Sequence, residues 1–111
     1  MAYDVELAER MRELLDGEPG VTEKAMFSGL AFLVGGNMAI AASGEGGALV
    51  RVDPTESDQL VDTTTAEAAV TRGRPMTGWL RVPSESLATA PDLASWVGIG
   101  TGHARSLPSK A

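Results

Sequence analysis

Five basic residues stand in or beside apolar, strand-forming segments: Lys24, Arg51, Arg72, Arg74 and Arg81. Arg51 lies inside Ala48-Leu49-Val50-Arg51-Val52, and the alternation of a strand puts it on the face opposite Val50 and Val52. Trp79 and Arg81 share a face for the same reason. Joined in one sheet, these groups can grip an anionic ligand or the acidic surface of a partner protein, because a guanidinium matches the paired oxygens of a carboxylate or phosphate. Lys24, Arg51, Arg74 and Arg81 are therefore the candidate ligand- or partner-binding residues. The plainer reading is that they pair with nearby acids, Asp53 among them, or keep a sheet face wet, since exposed ion pairs are common and individually uninformative.

Other chemistry finds less support. His103 is the only histidine, and no carboxylates stand at ligand spacing to it, so a triad or histidine-based metal centre lacks partners. The chain has no cysteine, which removes disulfides, thiolate nucleophiles and cysteine zinc sites. Gly98-Ile99-Gly100-Thr101-Gly102 has the glycine spacing of a phosphate loop but not its context, which is a strand before it, a helix after it and an acid further on. Glu6, Glu9, Glu13 and Asp16 read as the solvated face of a helix, and no spacing singles out a paired-carboxylate site. Met26, Met38, Met76, Trp79 and Trp96 read as core before they read as a ligand cavity. No catalytic residue, metal ligand or cofactor is assigned.

The elements that must position these residues follow from the apolar pattern. Asp4 can cap a helix whose stripe is Leu7, Ala8, Met11, Leu14 and Leu15, ended by Gly17-Glu18-Pro19-Gly20. Leu30–Val34 and Met38–Ser43 flank Gly35-Gly36-Asn37 as a hairpin, and residues 48–52 add a third strand. Val21–Phe27 is either an entering strand or an extended approach to the sheet. Asp53-Pro54-Thr55-Glu56 reads as the start of a short helix ending near Leu60 or Val61. Residues 62–71 are ambiguous between helix and strand, Gly73-Arg74-Pro75-Met76 reads as a turn, and residues 78–82 as a strand closed by Pro83. A last helix starts near Pro91 with the stripe Leu93, Trp96, Val97, Gly100, Ala104 and Leu107, and its three glycines predict fraying or a kink. The whole is an α+β domain over residues 1–107, with a disordered tail expected at 108–111.

At 111 residues the chain suits one domain, and 43% apolar against 22% charged residues is a globular balance. The start, Met1-Ala2-Tyr3-Asp4, lacks the basic and apolar regions of a signal peptide, and the apolar run of residues 30–42 is too short for a membrane helix. A cytoplasmic, non-membrane protein is expected. Net charge is −6, the wrong sign for phosphate-driven nucleic-acid binding. Residues 1–60 hold eleven acids against four bases, whereas residues 61–111 hold four against five, so a local basic patch remains compatible with the composition. Seven arginines beside two lysines fit a GC-rich bacterial genome.

Taken together, residues 21–32 (Val-Thr-Glu-Lys-Ala-Met-Phe-Ser-Gly-Leu-Ala-Phe), Gly36-Asn37-Met38-Ala39, Leu49-Val50-Arg51-Val52, residues 73–79 (Gly-Arg-Pro-Met-Thr-Gly-Trp) and Ala104-Arg105-Ser106-Leu107-Pro108 resemble the N-terminal domain of the TfoX/Sxy competence-regulator family. The resemblance implies a two-layer α-β(3)-α-β(2)-α domain, similar in architecture to secretion chaperones, which dimerises, and it favours a strand at residues 66–72. It carries no catalytic residues over. It implies a non-enzymatic protein-interaction or regulatory module, a homodimer with a possible protein partner. Full-length regulators of this type add a C-terminal domain that this chain does not show. Gly98 and Gly102 depart from the family's more helix-favouring residues.

Overall fold

Asp4 starts the first helix as its residue type requires. Its Oδ1 accepts the Leu7 N–H at 3.2 Å, satisfying one of the donors that a helix start leaves open. This helix, α1 (Val5–Leu14), buries Leu7, Ala8 and Met11, and Leu15 follows them into the core. The computed structural model describes residues 3–26, 29–44, 46–71 and 73–108. Phe27, Ser28, Glu45, Arg72 and, of the expected tail, residues 109–111 lie outside the described residues.

Four strands come next: β1 (Val21–Met26), β2 (Gly29–Val34), β3 (Asn37–Ala42) and β4 (Ala48–Arg51). After α2 (Ser57–Thr63) come β5 (Glu67–Thr71), β6 (Arg74–Val82), a short 3-10 turn at Ser84–Leu87 and the long α3 (Ala90–Ser106). The sheet order is β1-β2-β3-β4-β6-β5, with every neighbouring pair antiparallel. The α+β class holds, with one strand more before α2 than the three expected, because Val21–Met26 pairs fully with β2 from Val21↔Val34 to Met26↔Gly29.

The β2–β3 hairpin turns on Gly35 and Gly36, at φ 59° and 84°. A two-residue type I′ loop needs positive φ at both positions, so glycine pairs fit it best. The helix at residues 53–63 starts later than expected. Asp53 spends its Oδ1 on the Thr55 N–H (2.9 Å) and the Thr55 hydroxyl (2.8 Å), making a turn, and the helix begins at Ser57. Residues 74–76, expected as a turn, open β6 instead: Arg74 and Pro75 pair with Thr71 and Val70 of β5, and since β4 pairs only with residues 79–82, this end of β6 has a strand on one side alone and tolerates a proline.

All three helices contribute to one cluster on one face of the sheet, where Phe32, Ile40, Val50 and Leu80 are fully buried with Met11, Leu87, Leu93 and Trp96, and Leu60 and Val61 of α2 pack at its edge. α3 is continuous through Gly98, Gly100 and Gly102 rather than frayed among them. Gly100 accounts for the close seat: a methyl group there would overlap the Ala39 carbonyl of β3. At the end of the chain, the buried Asn37 donates its Nδ2 to the Pro108 carbonyl at 2.9 Å.

Candidate functional site

The second face of the sheet carries a different cluster, drawn from strands alone. Ala31, Met38 and Ala41 are buried there among the half-buried Leu33, Leu49 and Trp79, and no helix residue belongs to the cluster among the described residues. A bulge between Phe32 and Leu33 shifts the β2–β3 register, so that Leu33 meets Met38 and both stay on this face.

The registers place an unbroken row across all six strands. Lys24 pairs with Ala31, Ala31 with Ala41, Ala41 with Leu49, Leu49 with Arg81, and Arg81 with Glu67. Residues opposite one another in an antiparallel pair share a face, so the row reads cation, small, small, large, cation, anion from edge to edge. A second set of pairs on this face joins Thr22 to Leu33, Leu33 to Met38, and Arg51 to Trp79. In it the Arg51 guanidinium carbon lies 5.4 Å from the Trp79 ring centre, within the range of a cation–π contact.

The structure therefore brings Arg51 and Arg81 together as diagonal neighbours on β4 and β6, and sets Lys24 on the same face at the far edge. Arg74 is apart: it is exposed beside Gly73, seven residues up β6 from Arg81, or roughly 20 Å along an extended chain. No ion pair joins Asp53 to Arg51 among the described residues; the Asp53 Oδ1 accepts from Thr55 instead. Those two hydrogen bonds, the N–H first and the hydroxyl second, hold the Asp53 carboxyl below its ordinary range, with a smaller contribution from His103.

On the helix side, arginines do structural work. Arg12 of α1 grips Glu23 of β1 through Nε (2.6 Å) and Nη2 (2.9 Å). That pairing lowers the Glu23 carboxyl and raises the Arg12 guanidinium from their ordinary values. Arg105 near the end of α3 holds Glu18 in the same forked way, at 3.2 and 2.6 Å. Lys24 and Glu67 make no ion pair among the described residues.

Sequence reasoning missed Glu67, which fell in the ambiguous segment, and the alanines that floor the patch. The alternation signal for Glu67 was weak because β5 bulges between Ala68 and Val70. Arg81 and Glu67 also flank a shallow cleft of about 310 Å³ that Ala68, Val70, Val82 and Pro83 help to line. His103 is half-buried beside a second cleft of about 340 Å³ with Asp53, Glu56 and Ser106. No group of three metal-ligating side chains is present among the described residues, and none of the described helices is long and apolar enough to cross a membrane.

No curated protein matches this chain. The profile of the TfoX N-terminal domain matches residues 13–104, a span from the end of α1 to the last turn of α3 that contains the whole sheet. This chain belongs to the TfoX N-terminal domain family.

Proposed function

We propose that the domain is a non-enzymatic protein-interaction module with a regulatory role, that it works as a homodimer in the bacterial cytoplasm, and that its working surface is the helix-free face of the sheet. The observation that carries this is the strand-only cluster of Leu33, Met38, Leu49 and Trp79 flanked by Lys24, Arg51 and Arg81. The half-buried Leu33, Leu49 and Trp79, with arginines beside them, match the composition of a protein interface, which favours aromatics and arginine. Family membership supports the same reading, and a chain without cysteine suits a reducing compartment. Light scattering coupled to size exclusion tests it. The expected result is a particle of twice the 11.5 kDa chain mass at tens of micromolar; a clean monomer there counts against the homodimer.

The alternative, a small anionic ligand held by the basic sheet face, draws on the cleft beside Arg81. It expects phosphate- or carboxylate-bearing metabolites to raise the melting temperature, and Arg81→Ala to remove that rise. A flat thermal-shift screen sinks it.

A further inference from the structure

Arg51 combines partial burial with the lack of an ionic partner. Arg12 and Arg105, on the helix side, each hold a glutamate in a forked ion pair, and Arg81 is engaged within its own chain. Arg51 has the Trp79 ring 5.4 Å from its guanidinium carbon and no hydrogen bond or ion pair among the described residues. It is nonetheless half-buried, so part of the water that would otherwise answer its five N–H donors is displaced. An arginine set against an aromatic ring keeps its N–H groups for acceptors in the plane of the guanidinium. A carboxylate supplies the two parallel oxygens that this edge takes best.

The surroundings decide what carries that carboxylate. Neither cleft described above is lined by Arg51 or Trp79, and a small ligand binds tightly where a concave site encloses most of its surface. A single exposed ion pair changes a binding constant less than about tenfold, so the rest of the affinity has to come from apolar contact. The half-buried Leu33, Leu49 and Trp79 offer it beside Arg51. Phosphate backbones are a poor fit, because they need a run of close cations. Lys24 stands three strands from Arg51, roughly 14 Å across the sheet, Arg81 faces Glu67 across the β5–β6 pair, and the chain as a whole carries −6. At a Debye length of about 8 Å that net charge opposes approach more than contact. One or two carboxylates among apolar side chains fit; a polyanion does not.

We propose that Arg51, set against Trp79, is the docking point on the open sheet face for a carboxylate side chain of a partner protein, carried on an acidic segment whose apolar residues cover Leu33, Leu49 and Trp79. This rests on the interaction-module reading and adds the chemistry of the partner to it.

The test titrates the nitrogen-15-labelled full chain with a synthetic twelve-residue peptide repeating Glu-Glu-Leu-Leu, which puts acid and apolar residues on both faces of an extended strand. Its twin has Gln for every Glu, and inorganic phosphate is the third probe. The readouts are the Trp79 indole N–H and the Arg51 Nε–H, with the indole of the buried Trp96 as an internal control. The acidic peptide is expected to move both open-face signals and to bind about fivefold more tightly than its twin, while Trp96 stays still. Arg51→Gln, checked for folding by circular dichroism, is expected to remove that preference. Equal binding of the two peptides, no binding of either, or a preference that survives Arg51→Gln overturns the proposal. Phosphate binding as tight as that of the acidic peptide overturns it too, in favour of a small anion. Light scattering on the unliganded chain keeps the two readings apart. A dimer without the preference refutes only the acidic partner, whereas a monomer without it refutes the homodimer as well.

Discussion

Gly100 sets how closely α3 approaches β3, because a side chain there would run into the Ala39 backbone rather than into a movable neighbour. Gly100→Ala is therefore expected to destabilise the fold by about 1–3 kcal/mol, the usual range for overpacking. Gly98 and Gly102 have open space where a Cβ would stand, so alanine at either is expected to stabilise by up to about 1 kcal/mol through helix propensity. Chemical denaturation of the three variants checks the contrast; equal effects at all three positions would refute it. Both gains fall on the helix layer, away from the open face, and should leave dimerisation untouched. The carboxylates give the acid response. Glu23 and Asp53 have folded-state pKa values below their unfolded ones, the first through Arg12 and the second through Thr55. Such groups contribute stability above the unfolded pKa and lose it as pH falls through the folded value. Melting temperature should hold from neutrality to about pH 5 and drop below about pH 4, with Glu23→Gln flattening part of that drop. A melting temperature that rises on acidification contradicts both assignments.

The elements were legible where one physical signal dominated. α1 combined a capping aspartate with a clean apolar stripe, and the β2–β3 turn combined two glycines with strand-forming flanks, so both follow from the residues alone. β1 was harder, because Thr22-Glu23-Lys24 is polar on both faces, as an edge strand can be, and polar residues give no burial alternation. The start of β6 was misjudged because Pro75 is a strong turn signal that an edge pairing can absorb. The open face was half visible: alternation placed Arg51, Trp79 and Arg81, but residues 38–42 are apolar on both sides of β3, so no period distinguished the patch from the core. The edges also bear on assembly. Self-pairing of β1 about a two-fold centred on either residue would oppose Glu23 with Glu23 or Lys24 with Lys24, and like charges directly opposite are unfavourable. β5 is short and bulged, another device that discourages edge pairing. Replacing both β1 charges, Glu23→Thr with Lys24→Thr, is expected to make the protein aggregate with concentration in turbidity measurements, and a variant as soluble as the native chain would show that the edge needs no such guard.

Across the whole molecule, the two layers differ in charge without either being of one sign. Exposed acids of α1 and α2, including Glu6, Glu9, Glu13 and Asp58, crowd the helix side, while Lys24, Arg51 and Arg81 occupy the other. A face-to-face dimer turns both acidic layers outward, which suits a soluble particle and disfavours phosphate backbones. It also has to overcome a charge repulsion. Two subunits of charge −6 with centres about 25 Å apart repel by roughly 6 kcal/mol in unscreened water. At physiological salt the Debye length is about 8 Å and little of that repulsion survives. Salt is thus a direct probe of the homodimer, since it relieves the long-range repulsion. Sedimentation equilibrium at 50 mM and 1 M salt should find the dimer of the full chain tighter at the higher salt. A dimer that loosens as salt rises would mean that ion pairs across the interface outweigh that repulsion.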